Sequence, residues 1–412
     1  MDKKKIVILG AGFAGMYTYR ALKRKLRSKE ASITVVNKTN HFLFTPLLHE
    51  VASGSLTPVN VVESIRSIMD SNDCFYQAEV LGVNSENKTV QTNHGDISYD
   101  YLVYALGSRA CYFNTPGAHA YAYSLKSLED AVYLRNHVID KFEQATCVDD
   151  EKEKEELLSF VIVGGGPTGV EYAGELIEYI RDTFKKYYPR DIDFSKLQVT
   201  LVHMGGELLP QFDKKLRGKA LARLKKQGVT VLLNTAVEEI NKKGVQLKGG
   251  DSIVARTVVW TAGVEPNTQF LPETFERDPR GRVIVNEFLQ TGNDKNIFVV
   301  GDVASSKNDR GEAMPQLAQV AVRHGEFTAD TIARIIHKQR LLPFDFRLQG
   351  ELVSVGEWYA LGKIGFVRLS GAFAWYIWRT IYLFKFHSFR KRLRIALDWT
   401  INLFYPRDIS KL

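Results

Sequence analysis

Short apolar runs, each closed by a glycine-rich turn and followed by a helix-period stretch, set the frame of this chain. Ile6-Val7-Ile8-Leu9 and Phe160-Val161-Ile162-Val163 carry no polar residue. Runs of this length, rich in β-branched residues, predict strands buried on both faces of a parallel sheet. Glycines follow both at the same spacing, in Gly10-Ala11-Gly12-Phe13-Ala14-Gly15 and Gly164-Gly165-Gly166-Pro167-Thr168-Gly169. Helices are predicted next, to about Arg27 in the first case and from about Thr168 in the second. Further strands are expected at Ile33–Val36 and Tyr101–Gly107, with a loop holding Pro46 and Gly54 and a helix near Val59–Ile68 between them. The second unit repeats the plan with strands at Val199–Val202, Thr230–Leu233 and Val258–Gly263 and a helix over Lys214–Gln227. Asp149–Glu156 reads as a solvated acidic break before it. Asn296–Asp302 is one more strand, expected to return to the first unit with Asp302 at its carboxyl end, where ligands of such sheets sit.

The predicted fold class is therefore α/β, with two Rossmann-like dinucleotide-binding domains and a C-terminal amphipathic helical membrane-anchoring region. In each loop the first glycine makes the turn and the second lets backbone approach a pyrophosphate. The third permits close helix–strand packing, and the phosphates rest on the helix N-terminus. One such loop is weak, since glycine turns also arise for steric reasons. Two in the same strand–loop–helix context imply two nucleotides, a flavin and a nicotinamide, and hence redox chemistry.

The three cysteines, Cys74, Cys111 and Cys147, are far apart and form no CxxC pair. That argues against a disulfide relay, and equally against a cysteine metal site; no metal is expected. Lys3–Lys5 before an apolar run resembles a signal peptide, but the run breaks inside the fingerprint and Arg20 and Lys23 follow. No uncharged apolar run of about 18 residues occurs, so no bilayer-spanning helix is expected.

Net charge is +8 over 412 residues, and it is unevenly placed. Residues 371–412 hold eight basic side chains against Asp398 and Asp408, together with eleven aromatics. At helical spacing Phe389, Leu393, Ala396, Leu397, Thr400 and Phe404 share one arc. Lys391, Arg394, Asp398 and Asn402 lie opposite, with Arg390 and Arg392 on the rims. This is the pattern of a helix lying in the plane of an anionic membrane surface. Core burial or a homodimer interface is the alternative. A nucleic-acid site lacks any recognisable binding module.

Tyr99-Asp100-Tyr101 with Ala105-Leu106-Gly107, Gly169-Val170-Glu171, Trp260-Thr261-Ala262-Gly263-Val264 and Gly301-Asp302-Val303-Ala304 resemble the flavoproteins with two dinucleotide-binding domains. Within them, the segment Phe44-Thr45-Pro46-Leu47-Leu48-His49-Glu50-Val51-Ala52-Ser53-Gly54 and Ala318-Gln319-Val320-Ala321 resemble type II NADH dehydrogenases. These single-subunit enzymes pass electrons from NADH through FAD to a membrane quinone without pumping protons. The resemblance implies a peripheral respiratory-chain enzyme on the cytoplasmic face of the cell membrane. It assigns residues 1–115 and 276–340 to FAD, 116–275 to NAD(P)H and 341–412 to membrane association and quinone access. FAD contacts are implied for Gly10, Gly12, Phe13, Ala14, Gly15, Asn37, Lys38, Pro46, Val80, Ala105, Gly107, Asp302 and Ala318. Nicotinamide contacts are implied for Gly164, Gly166, Thr168, Gly169, His203, Ala262 and Gly263. Glu171 matches an acid beside nicotinamide and flavin, expected to couple nicotinamide binding to quinone or proton movement; Glu175 is a supporting candidate.

Three positions depart from the pattern. Asn37 replaces the ribose-binding acid of the first unit, although an amide still bonds a diol. His203 replaces it in the second and removes the repulsion that excludes the NADPH phosphate, so weaker discrimination against NADPH is expected. Gln319 matches the first glutamine of the quinone motif, but Val322-Arg323-His324 occupies the place of the second. Arg323 is then expected to orient a quinone carbonyl and His324 to deliver a proton near neutral pH. Other readings are a soluble reductase of a small redox protein, a nucleotide-sensing membrane-bound protein with vestigial turnover, and a sulfide:quinone oxidoreductase. The last needs paired redox cysteines.

Overall fold

The computed structural model describes residues 3–412 apart from Asn293, Asp309 and His387. The chain divides into two compact units. The first comprises Met1–Leu43, Val62–Arg109 and Val264–Leu348; the second comprises Phe44–Val61, Ala110–Gly263 and Gln349–Leu412. These seams follow packing. The C-terminal residues gather with the second fingerprint, and the short insert 44–61 goes with them.

A five-stranded parallel sheet organises the first unit. Its order is Ile297–Val299, Tyr101–Tyr104, Lys4–Leu9, Ala31–Asn37, Cys74–Gln77. The strand before Asp302 therefore does return to the first unit, pairing Phe298 with Val103. Leu9, Leu102, Ile297 and Val299 are sealed from solvent on both faces, as their unbroken apolar runs require. The fingerprint helix Phe13–Lys25 packs on the helix Ala318–Ile336 so closely that a Cβ on Gly325 would lie 2.4 Å from the Ala14 carbonyl oxygen.

The second unit holds a four-stranded parallel sheet ordered Thr230–Leu232, Gln198–Val202, Ser159–Val163, Thr257–Trp260. Helix Lys214–Gln227 has the predicted bounds, with Asp213 capping its first turn and Gly228 closing it in the left-handed conformation. A three-stranded antiparallel sheet, Gly350–Ser354, Ala360–Ile364 and Val367–Gly371, leads into the C-terminal helices Ala372–Lys385 and Phe389–Ile401.

Three local expectations fail, the first being the loop after Pro46, which holds a short helix, Leu48–Ala52. The acidic stretch is not a break but a helix, Glu151–Leu157, started by the Asp150 carboxylate accepting the Lys152 N–H and laced by Lys154 with Glu151. Residues 59–68 are not one helix. Pro58 opens a single 3-10 turn, Val62–Ser64 pairs as a strand with His41–Leu43, and only Ile65–Ile68 coils. Pro58 at the turn and the β-branched Val59, Val61 and Val62 favour extended backbone there.

Candidate active site

The two fingerprint loops have the same construction. A Cβ on Gly15 would sit 1.8 Å from the Gly10 carbonyl oxygen, and one on Gly169 would sit 1.9 Å from that of Gly164. Gly10 and Gly164 both take positive φ, +94° and +120°, which side chains resist. Gly12 and Gly166, by contrast, face open space, with nothing within 4 Å of a built Cβ. Each is the N-cap residue of its helix, and no side chain caps either helix. The uncapped N–H groups and the open face of the middle glycine fit a dinucleotide pyrophosphate at both sites.

The residue ending the second strand closes each loop. In the first unit Asn37 Oδ1 accepts the Ala11 N–H at 3.0 Å; in the second His203 Nδ1 accepts the Gly165 N–H at 3.1 Å. Burial holds the His203 imidazolium below its ordinary range, so the ring is neutral at pH 7. Phe13, Ala14 and Gly15 start the first helix, while Thr168 is exposed at the start of the second. Gly164 lies against Ala262, and the Gly263 carbonyl accepts the Cys111 N–H. Lys38 is exposed beyond Asn37; Val80 is buried at the start of the strand Val80–Asn84; Pro46 opens a 3-10 turn in the second unit. Ala105 donates its N–H to the Leu9 carbonyl, and Gly107 accepts from Asn267.

Asp302 sits in the turn after strand Ile297–Val299, accepting the Ser108 hydroxyl at 2.6 Å, while its carbonyl accepts the Gln316 amide at 2.9 Å. It caps no helix. Ala318 and Gln319 lie half-buried in the first turn of their helix. Arg323 is exposed and pairs with Glu326 at 3.7 Å, an ordinary surface pair. His324 departs from its expected role. It is 1 % exposed, accepts the Gly301 N–H through Nδ1 at 3.1 Å and lies 3.0 Å from the Ser306 hydroxyl. Burial depresses it to about 3, so it is neutral near pH 7 and is not the imidazolium expected to deliver a proton. Its work is to fix the turn that presents Asp302.

Glu171 lies in a second, denser constellation. It is buried, accepts the Ser354 N–H at 3.1 Å, and stands 3.7 Å from His49. Burial and the neighbouring Glu50 and Glu175 carboxylates raise it well above the usual carboxylate range, so it holds a proton at neutral pH. His49 is depressed to about 4 by burial and is neutral. Glu175, one turn along, is kept ionised by Arg407 at 2.9 Å and accepts the hydroxyls of Ser53 and Ser55. Arg407 belongs to the stretch read as a membrane-facing basic tail, yet it is 5 % exposed and also reaches Glu357. Arg379 is likewise turned inward, between the rings of Trp375 and Trp399 at 3.8 and 4.6 Å. The outer helix Phe389–Ile401 buries Ile395 and Trp399. Asp398 accepts the Thr57 N–H and the Asn60 amide, and Asn402 donates to the Ser55 carbonyl. Asp398 and Asn402 of its polar arc thus lie on the docked side, whereas Arg394 is exposed, and Phe389, Leu393, Leu397 and Phe404 face outward. His49, Glu50, Arg379, Trp399 and Arg407 were not assigned chemistry from sequence. The only signal was the unusual cluster His49-Glu50 inside an otherwise apolar motif.

Comparison with known proteins fits this geometry. Residues 4–325 match the pyridine nucleotide-disulphide oxidoreductase family, and residues 348–408 match the NDH2 C-terminal domain. A probable NADH dehydrogenase of Dictyostelium discoideum is 34% identical over 100% of this chain and 92% of its own length. The type II NADH:quinone oxidoreductase of Staphylococcus haemolyticus is 33% identical over 88% of this chain and 90% of its own. The structure of NDH2 from Plasmodium falciparum in complex with NADH superposes with a TM-score of 0.91, at 22% identity, over 99% of this chain and 100% of that one. The sulfide:quinone oxidoreductase of Aquifex aeolicus shares the fold at a TM-score of 0.72, with 18% identity. The chain belongs to the pyridine nucleotide-disulphide oxidoreductase family, within its type II NADH:quinone oxidoreductase branch. All three cysteines are free, and none is paired for sulfide chemistry.

Proposed function

We propose that the first loop holds FAD, that the second presents NADH, and that the electrons pass to a quinone at a membrane surface. The observation that carries this reading is the pair of congruent loops with open middle glycines and uncapped helices. When bound, the flavin supplies the redox chemistry, taking a hydride from the nicotinamide and passing two electrons on. The chain's own residues bind and orient. The first-turn N–H groups after Gly12 and Gly166 hold the phosphates, Asn37 and His203 face the adenosine riboses, and Asp302 with Ser108 completes the flavin site. Gln319 orients the quinone, and Glu171, protonated in its buried setting, is the acid that couples nicotinamide binding to proton movement. His203 lacks the negative charge that would exclude NADPH, so discrimination against NADPH is weaker.

No helix among the described residues is long and apolar enough to cross a membrane. The outward Phe389, Leu393, Leu397 and Phe404, flanked by exposed Arg390 and Arg394, suit a helix lying in the interface of an anionic bilayer on the cytoplasmic side. Flavin bleaching by NADH and by NADPH, followed by re-oxidation with a quinone, tests the activity. Re-oxidation by oxygen alone, with no gain from quinone, overturns it. Replacing those four apolar residues by serine is expected to release the protein from anionic vesicles. Deleting residues 371–412 is a poorer test, since it also strips Trp399 and Arg407 from the acid cluster. Retained vesicle binding refutes the anchor; retained binding with a dimer converted to monomer assigns the face to self-association.

A further inference from the structure

Four glutamates crowd the interior of the second unit: Glu50, Glu171, Glu175 and Glu178 are each at most 8 % exposed. Two have basic partners. Arg407 takes Glu175 at 2.9 Å, and Arg223 takes Glu178 at 3.2 Å, helped by Gln227 at 2.7 Å. Among the described residues, no arginine or lysine lies within ion-pair distance of Glu171 or Glu50. Buried carboxylates this close together cannot all ionise: Arg407 holds Glu175 ionised, while burial and the Glu175 charge push Glu178 up to about 8 even beside Arg223, and Glu171 and Glu50 have no such cation.

Glu50 is held in a distinctive way. The indole Nε1–H of Trp399 donates to it at 2.6 Å. Trp399 belongs to the outer helix, anchored by Asp398 to Thr57 and Asn60. The Arg379 guanidinium covers the face of the same indole at 4.6 Å, with its buried Nε unpartnered. The arginine therefore acts on Glu50 through its field and not through a hydrogen bond. We propose that Glu50 is a second proton-holding acid for quinone reduction, positioned by Trp399, so that Glu50 and Glu171 together hold the two protons that one quinone consumes. This rests on the quinone-reducing activity proposed above. Reduction joins two electrons, both from NADH, and two protons to the quinone oxygens. Each acid that gives a proton becomes a carboxylate and regains one, from the hydride's proton or from water, before the next turnover.

The groups facing Glu50 set where it titrates. Burial pushes it up, and Glu175 of helix Pro167–Tyr179 adds to that. Arg379 of helix Ala372–Lys385, the Trp399 hydrogen bond and Arg407 of the tail pull it down, leaving it at about 7. Glu171, from the same helix as Glu175, couples to it, and adjacent His49 is neutral. Glu50 thus carries its proton below neutral pH and loses it above.

Stopped-flow re-oxidation of the reduced holoenzyme by a short-chain quinone, followed between about pH 6 and pH 9, tests this against ferricyanide, which takes electrons without protons. The wild-type quinone rate is expected to fall as pH rises through about 7. Glu50→Gln should lower the quinone rate about tenfold or more and abolish that limb, while changing the ferricyanide rate less than about twofold. Trp399→Phe should move the limb to higher pH, because the lost N–H no longer favours the carboxylate. A carboxylic-acid C=O infrared band that titrates near pH 7, separated from that of Glu178 by including Glu178→Gln as a reference, should vanish in Glu50→Gln even without turnover. A limb and band that persist in Glu50→Gln, or quinone and ferricyanide rates that fall together, overturn the proposal. Wild-type enzyme that quinone does not re-oxidise at all would instead sink the activity on which it rests, and the infrared titration of Glu50 would still stand.

Discussion

Among the differences between the first and second dinucleotide folds, one pair of positions is mutually compensated. Beside Asn37 the loop carries Ala11; beside His203 it carries Gly165. A Cβ on Gly165 would come within 2.6 Å of the imidazole ring. The larger strand-end residue, together with Leu208 at 2.7 Å, therefore demands the smaller loop residue, while the accepted N–H bond is the same. One loop can change its strand-end residue without losing its shape, provided the neighbour shrinks. That is how a permanent flavin and a transient nicotinamide can share a design and still be tuned apart.

The largest effect should come from what the loops share. Gly15→Ala forces a Cβ to 1.8 Å from the Gly10 carbonyl oxygen, backbone that cannot yield. The protein is expected to purify without flavin and to melt at lower temperature, whereas Gly169→Ala should keep its flavin and lose bleaching by NADH. Equal flavin loss in both would end the assignment of one loop to each cofactor. Next comes the compensation itself. Gly165→Ala alone should cost up to about 3 kcal/mol by overpacking, and adding His203→Asn should recover most of it. Additive losses would show that the ring does not set the loop residue.

A smaller effect separates the units by pH. His324, buried and neutral in the first unit, has its folded value depressed to about 3. Its contribution is present above the ordinary histidine value of 6.5 and is lost as pH falls, by about 1.4 kcal/mol per unit. From pH 6.5 to 5 that is about 2 kcal/mol, read as flavin released with the collapsing Asp302 turn. His324→Gln should flatten this acid limb. His49 and His137, both depressed to about 4, leave the second unit its own sensitivity, so flavin release and not bulk melting is the readout. Smallest of all, His203→Glu should raise the NADH-over-NADPH ratio of kcat/KM about tenfold by restoring repulsion of the 2′-phosphate. An unchanged ratio would leave His203 as a strand-end cap alone.

The loops were legible because their chemistry is local. Turn, close approach and uncapped helix are fixed within six residues, and glycine spacing writes them directly into the chain. The strand before Asp302 was legible for a related reason: an apolar run ending on an acid has one useful place in such a sheet. His324 was misread because the sequence offers a histidine without its surroundings. Only burial against Gly301 and Ser306 makes it neutral. The outer helix was read with the right outward arc. Its polar side, however, meets residues 55–60 by hydrogen bonds that no periodicity reveals.

By itself, then, the sequence determined two nucleotide-binding folds, the return of the Asp302 strand to the first of them and an amphipathic C-terminus, since each follows from short-range periodicity and sterics. The tertiary structure alone decided where protons and charges reside. Glu50 meets Trp399, and Glu175 meets Arg407, across hundreds of residues of chain. The ionisation of a buried acid depends on what lies within a few ångströms in space, which neighbours in sequence do not specify.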